Sequence, residues 1–176
     1  FTQVSDVENL ENTLNINSDL PSWGVEYNIG LELPKSIQEP TNYHYVVRYS
    51  SSGSKFDKAV LSLIAKTDNL QIYVEDGYNY NRDNIIYVAT KFENNYKEMT
   101  NIYGPHTDMD KNGKIKLFFI DINKNNSGGV VATGYFLPID LIYGKANNGE
   151  ILYMDVNLLN SSPKEIAGTV LHEFQH

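Results

Sequence analysis

The stretch of sequence that decides the fold runs from Ser162 to His176 and reads SPKEIAGTVLHEFQH. Ser162 suits the N-cap of a helix, Pro163 suits its first position, and Glu165 stands where a capping box requires an acidic residue. The apolar residues that follow are four apart, at Ile166, Val170 and Phe174. The segment is therefore predicted to be an amphipathic helix whose apolar stripe packs on a core.

This predicted helix carries His172, Glu173 and His176. Residues four apart share one helix face, so the two histidines can bind a single zinc ion. Glu173 is rotated from His172 by about 100 degrees, a placement that suits a general base taking a proton from water. The pattern arises by chance roughly 0.006 times in a chain of this composition. The alternative is a pair of hydrogen-bonded core histidines.

The rest of the chain predicts an α+β fold. Apolar residues recur every second residue in some segments, as in strands, and every three to four residues in others, as in helices. A long helix is predicted from the apolar stripe between Ile85 and Met99, ended by Gly104 and Pro105. The region Phe56 to Ala65 fits a helix or a buried strand. A weak helix is predicted around Val4 to Leu14, and strands or apolar strand-like segments are predicted at Trp23 to Leu33, Tyr43 to Tyr49, Leu70 to Glu75, Lys114 to Ile122, Val130 to Phe136 and Ile151 to Val156.

Composition narrows the function classes. The chain has 176 residues, and its 22 acidic against 14 basic residues give a net charge of -8, which disfavours nucleic acid as a partner. No stretch reaches the roughly 18 apolar residues of a membrane-spanning helix. The absence of cysteine removes disulfides and thiolate metal sites, as is compatible with a secreted protein.

The segment Thr169 to His176, TVLHEFQH, resembles the zincin metallopeptidase consensus. Its HEFQH form is similar to secreted bacterial metallopeptidases of the hyicolysin-like family. Asp108 to Ile115, then Gly134-Tyr135-Phe136, then Ile151 to Asp155 resemble the order of elements in that family. The resemblance covers residues 70–176 and is specific at the helix, whereas residues 1–69 are predicted as a β-rich amino-terminal region or pro-segment.

The resemblance implies a zinc-dependent endopeptidase acting on protein or peptide substrates, secreted or at the cell surface of a bacterium. It implies a mixed sheet whose edge strand, Gly134, Tyr135 and Phe136, faces substrate above the helix with the two histidines. A third zinc ligand is expected after His176, a glutamate as in gluzincins being favoured over the histidine of metzincins. Residues 70–176 are thus expected to be an incomplete, inactive catalytic domain.

A second motif consists of Asp108, Asp110 and Asn112, followed by Gly113. These residues match the first half of a calcium loop, in which alternate side-chain oxygens surround a hard cation. The twelfth position is Phe119 instead of glutamate, so the segment is not an EF-hand. The motif predicts either a calcium site or an Asx-rich turn whose carboxylates cap backbone amides.

Three further residues leave alternatives open. Asp155, at a predicted strand end, either orients a zinc-binding histidine through its other ring nitrogen or caps the backbone. His44 and His106 lack metal-ligand spacing and are predicted as a strand residue and a loop residue. The alternative to the peptidase is a non-catalytic β-rich surface or binding module that retains a degenerate metallopeptidase segment.

Overall fold

The computed structural model describes residues 43–124, 126–127, 131–142 and 146–175. The predicted helix around Val4 to Leu14 and the predicted strand Trp23 to Leu33 lie outside the described residues. His176 also lies outside them.

The described residues form a mixed α+β fold, as the sequence predicts. The strands are β1 (Tyr43–Ser50), β2 (Gly53–Lys66), β3 (Leu70–Glu75), β4 (Ile115–Ile120), β5 (Gly134–Phe136) and β6 (Ile151–Asp155). The α-helices are α1 (Arg82–Tyr103) and α2 (Pro163–Glu173), and the 3-10 helices are Pro138–Leu141 and Val156–Asn160. The predicted strands at β1, β3, β4 and β6 and the predicted helix α1 are confirmed.

The six strands form one sheet in the order β1-β2-β3-β4-β6-β5. The β3-β4 and β4-β6 pairs are parallel, and the other three pairs are antiparallel. Helix α1 makes the crossover from β3 to β4, as a parallel pair requires. The short strand β5 lies at one end of the described sheet.

The region Phe56 to Ala65, ambiguous by period, lies within the long strand β2. Its first part, up to Val60, pairs with β1, and its second part, from Leu61, pairs with β3 with a register shift between Leu63 and Ala65. Pairing of each part with a neighbouring strand gives its backbone groups partners without a helix. The segment is a strand because it pairs with other strands. The spacing of its own apolar residues cannot reveal that pairing.

Helix α1 ends where its sequence predicts, and a side-chain cap that was not predicted begins it. The Asn81 side chain accepts a hydrogen bond from the Asp83 backbone amide, which caps the first turn. At the other end Gly104 has a φ of 92°, a conformation that favours glycine, and Pro105 follows.

Helix α2 begins at Pro163 as predicted, but the predicted capping box is wrong. The Ser162 side chain makes no capping hydrogen bond, although its carbonyl accepts one from the Ile166 amide. The prediction that the helix continues through the motif is wrong for Phe174 and Gln175, since the α-helix ends at Glu173 and these two residues follow it in a turn. The Phe174 amide donates to the Val170 carbonyl at 3.1 Å, but the Gln175 amide donates to the His172 carbonyl, three residues back, at 3.1 Å.

Both helices pack on the same face of the sheet. Alternate residues of β4 and β6 point to this face, among them Leu117, Phe119, Leu152 and Met154. Helix α2 contributes the predicted apolar stripe, of which Ile166 and Val170 are fully buried and Phe174 packs at the margin. The amphipathic prediction for this helix is confirmed.

The opposite face is covered by the β1-β2 hairpin, which curls over the sheet. The Tyr49 amide donates to the Ile122 carbonyl at 2.7 Å, and the Val47 amide donates to the Tyr135 hydroxyl at 2.8 Å. These bonds join the first strand to the far half of the sheet. The core of this face includes Val46, Phe118 and Tyr153.

The strands on either side of the predicted boundary between residues 69 and 70, β2 and β3, pair within one sheet; the division into two regions stays a prediction. Within the described ranges no helix combines the length and apolarity that crossing a bilayer requires.

Candidate functional site

The carboxyl end of α2 brings together two of the three residues that the motif predicts. His172 and Glu173 occupy the last turn of the helix. The His172 side chain is partly exposed, whereas Glu173 is only 5% exposed. The third residue, His176, lies outside the described residues, so the pairing of the two histidines on one metal stays a prediction.

Glu173 lies against the end strand of the sheet. A methyl group placed on Gly134 of β5 would stand 3.2 Å from Glu173 Cγ and 3.0 Å from the Tyr153 carbonyl oxygen. Any side chain at Gly134 would crowd both groups. Glycine therefore permits the helix end and the strand to approach each other this closely.

The strand β5 is fixed from its other face by Tyr135. Its ring stacks on Tyr153 with centroids 4.5 Å apart and planes inclined by 13°. Its hydroxyl accepts the hydrogen bond from the Val47 amide. Gly134 and Phe136 therefore face the helices while Tyr135 packs behind the strand, as the alternation of a strand requires. The predicted role of these three residues in facing substrate stays a prediction.

Aromatic packing holds the residues that follow α2, Phe174 and Gln175, against α1. The Phe174 ring lies 5.2 Å from the Phe92 ring and 6.0 Å from the Tyr96 ring, the latter nearly parallel. One residue later, Gln175 Oε1 accepts a hydrogen bond from the Tyr103 hydroxyl at 3.0 Å. Rings packed at these distances stabilise the position of the helix end that carries His172.

A pocket of about 230 Å³ opens beside Glu173. Its wall includes Phe136 of β5, Tyr103 at the end of α1, and Glu150 just before β6. Its two carboxylates, Glu150 and Glu173, lie among several apolar and aromatic side chains. A concave site of this kind, with few polar groups among apolar ones, is typical of ligand-binding pockets.

The predicted calcium loop follows α1 and forms a tight turn. Asp108 Oδ1 accepts a hydrogen bond from the Gly113 amide at 3.0 Å, and Lys111 and Gly113 have φ values of 59° and 67°. Asp110 Oδ2 lies 2.5 Å from Lys116 Nζ. Asn112 Oδ1 accepts from the Lys114 amide at 2.6 Å. Side-chain oxygens of this segment therefore cap backbone amides, as the Asx-turn alternative predicts. Calcium binding stays a prediction.

Glu150 joins this loop and was missed from the sequence. Carboxylate oxygens of Asp108, Asp110 and Glu150 all lie within 4.8 Å of one another. Because β4 and β6 are parallel, the loop before β4 and the residue before β6 reach the same edge of the sheet. The Lys116 amide donates to the Glu150 carbonyl at 2.8 Å there. A lone glutamate before an apolar strand gives no signal until that pairing is known.

Asp155 acts as a cap. Its Oδ1 accepts hydrogen bonds from the Asn157 backbone and side-chain amides at 2.9 and 2.8 Å, and its Oδ2 accepts from Asn123 Nδ2 at 2.8 Å. The capping alternative is confirmed. A role in orienting a zinc-binding histidine stays a prediction.

The two remaining histidines lie as the sequence predicts, in strand β1 and in the loop after α1. The His44 ring packs edge-on against Phe118, with centroids 5.0 Å apart. His106 Nε2 lies 2.8 Å from the Tyr96 hydroxyl, and the residue contributes to the pocket wall. Their packing supports structural roles.

No family model matches this chain, and no curated protein matches it significantly. A partly exposed imidazole beside a buried carboxylate, at a helix end facing a short end strand, fits one half of a zinc-dependent hydrolytic site.

Proposed function

We propose that the chain carries the metal-binding segment of a zinc-dependent metalloendopeptidase of the zincin type. His172 and His176 would hold the metal, and Glu173 would be the general base. The observation that carries the proposal is the contact between Glu173 and the end strand β5 at Gly134. It brings the one acid of the motif to the place where an extended substrate chain could pair.

The shape of β5 supports the proposed substrate class. A three-residue strand at the end of the described sheet offers backbone groups to which an extended peptide can add as a further strand. Phe136 and the pocket beside Glu173 offer an apolar surface for one substrate side chain. Protein or peptide is therefore the proposed substrate, and a secreted or cell-surface location follows from the family resemblance.

Zinc, when bound, would polarise the scissile carbonyl and lower the pKa of water toward about 7. Glu173 would take the proton from the attacking water and return it to the leaving amine. Its burial at the helix end restricts it to few orientations, which favours proton transfer at one position. The resemblance places the third ligand after His176, preferably a glutamate.

The test uses the full-length protein with Glu173→Gln, which keeps the size of the side chain but removes the base. We expect cleavage of casein and of a fluorogenic peptide to fall by at least about 10²-fold, with zinc content unchanged. The matched control is Glu98→Gln, an exposed residue of α1 that lies outside the site. It should cleave both substrates as the unmodified protein does.

His172→Ala completes the experiment, because it should lose zinc as well as activity. Two results would contradict the proposal. One is unchanged cleavage by Glu173→Gln, and the other is a full-length protein that binds no zinc at neutral pH. In either case a non-catalytic binding module would be the better description.

A further inference from the structure

We propose that Asp108, Asp110 and Glu150 form a calcium site that ties the loop after α1 to the start of β6. This inference goes beyond the peptidase, since none of the three residues belongs to the HEFQH motif. It also differs from the calcium loop that the sequence predicts, because it adds a carboxylate from a remote segment.

The first observation is the convergence of three carboxylates. Their oxygens lie within 4.8 Å of one another, although Glu150 comes from a different part of the chain than Asp108 and Asp110. One cation can contact oxygens at this spacing together, since Ca²⁺ binds its ligands at about 2.3–2.6 Å. Like charges held this close repel each other, and the ammonium of Lys116 at Asp110 offsets only part of that repulsion.

The second, independent observation is the state of the Glu150 carboxylate. The residue is only 6% exposed. Its Oε1 accepts hydrogen bonds from the Thr107 hydroxyl at 2.6 Å and the Met109 amide at 2.9 Å. Its Oε2 is buried and has no hydrogen-bond partner among the described residues. A buried carboxylate oxygen without a donor is costly, and a bound cation would remove that cost.

The charge balance favours a divalent ion. Within the part of the chain that the structure describes, Lys116 forms an ion pair with this group, and its Nζ lies 2.5 Å from Asp110 Oδ2. Three carboxylates and one ammonium leave two negative charges. The Lys114 ammonium is directed elsewhere, to the carbonyl oxygens of Thr67 and Asp68. A cation of charge +2 would neutralise the group.

The ligand chemistry indicates calcium. All three side chains offer hard carboxylate oxygens, and no imidazole belongs to the group. They come from an irregular turn and a strand start, an arrangement that suits the variable coordination of Ca²⁺ better than the strict octahedron of Mg²⁺. Asp108 is exposed, so water can supply the remaining ligands.

The site would act on the pocket beside Glu173. Glu150 and Thr107 both contribute to the wall of that pocket, and Thr107 directly precedes Asp108. A cation joining Glu150 to the loop would hold this wall in place. Calcium would thus stabilise the protein and fix the pocket without taking part in hydrolysis.

The experiment is a calcium titration of the full-length protein by isothermal calorimetry and by thermal unfolding, after removal of calcium and with zinc content held constant. We expect one calcium ion to bind with a dissociation constant on the order of 10⁻⁴ M and to raise the unfolding temperature. Neither readout needs a peptide substrate. A protein that proves inactive would therefore still test the site.

Three variants locate the binding. Glu150→Gln keeps an acceptor for Thr107 and Met109 but removes the charge, and should weaken calcium binding about tenfold or more. Asp108→Asn, in the exposed turn, should also weaken it and serves if the first variant does not fold. Glu98→Gln, which removes an exposed charge elsewhere, should bind as the unmodified protein does.

Three results would overturn the inference. The first is no heat and no shift in unfolding temperature with calcium at millimolar concentration. The second is unchanged affinity in the Glu150 and Asp108 variants. The third is tighter binding of Mg²⁺ than of Ca²⁺, which would contradict the choice of ion.

Discussion

Gly134 and Glu173 touch across the space between the end strand of the sheet and the end of the last helix, where a Cβ atom on Gly134 would stand 3.2 Å from Glu173 Cγ. The glycine has no side chain to hold the acid away. The helix end and the strand can therefore form two sides of one site. Three predictions follow from this contact and from the buried polar groups that hold the sheet.

Gly134→Ala should lower activity more than it lowers stability. The added methyl group would meet a backbone oxygen of Tyr153 at 3.0 Å, which cannot rotate away, as well as Glu173. We expect a loss of about 1–3 kcal/mol in the free energy of unfolding, and a fall in kcat because Glu173 is displaced. Urea denaturation and peptide-cleavage kinetics measure the two effects.

The matched control is Gly149→Ala. Its nearest neighbours would be Lys116 Nζ at 3.2 Å and Asp110 Oδ2 at 3.3 Å, the ends of side chains that can move. We expect a smaller loss of stability and no fall in kcat. If Gly134→Ala retains full kcat, the close approach of strand and acid is irrelevant to activity.

Arg48→Met should destabilise the fold strongly. The guanidinium is 1% exposed, and it pairs with Glu75 Oε1 at 2.7 Å and with Asp57 Oδ2 at 2.6 Å. Its Nη1 also donates to the Asp121 carbonyl at 2.7 Å. Its removal leaves the buried Glu75 without its cation, at a cost of about 3–5 kcal/mol in the free energy of unfolding.

The measurement is chemical denaturation, with Lys55→Met as the control. Lys55 faces Arg48 across the β1-β2 pair but is exposed. Its replacement should change the unfolding free energy by less than about 0.5 kcal/mol. Equal effects of the two substitutions would mean that the buried ion pairs contribute no more than a surface charge.

Tyr153→Phe should destabilise the protein more at neutral pH than at acid pH. Burial raises the pKa of Asp140, and the hydrogen bond that the Tyr153 hydroxyl donates to Asp140 Oδ2, 2.6 Å long, opposes that rise. Because the folded pKa is raised, the contribution of Asp140 to stability is present at low pH and is lost as pH rises through that pKa. Without the hydroxyl the folded pKa rises further.

We expect the variant to lose about 1–3 kcal/mol at neutral pH, since the ionised Asp140 would lose the donor to its Oδ2 and keep only the Asn147 amide on its Oδ1. Denaturation at about pH 4 should give a smaller loss, because burial raises the pKa of Asp140 and a larger fraction of the carboxyl is protonated there than at neutral pH. Tyr80→Phe, at an exposed tyrosine, is the control and should have little effect at either pH. If the loss in unfolding free energy were the same at both pH values, the ionisation of Asp140 would not depend on the hydrogen bond from Tyr153.

The elements that the sequence predicted correctly are those fixed by local pattern. The apolar stripe from Ile85 to Met99 lies on one helix, which buries most of these residues against the sheet. The helix ends just before Gly104, as predicted. The failed capping box shows the limit of such patterns. Ser162 has the expected residue type, but its side chain makes no hydrogen bond to the helix. The amides in the first turn of a helix can find hydrogen-bond acceptors other than the side chain of the N-cap residue.

For the candidate site, the sequence determined the spacing of His172, Glu173 and His176 and the helix that leads to them. Only the tertiary structure decided that Glu173 meets Gly134, and that Glu150 joins Asp108 and Asp110. The physical reason is the order of the strands. Helix periodicity is set within a few residues, whereas contacts between remote segments depend on which strands pair and in which direction.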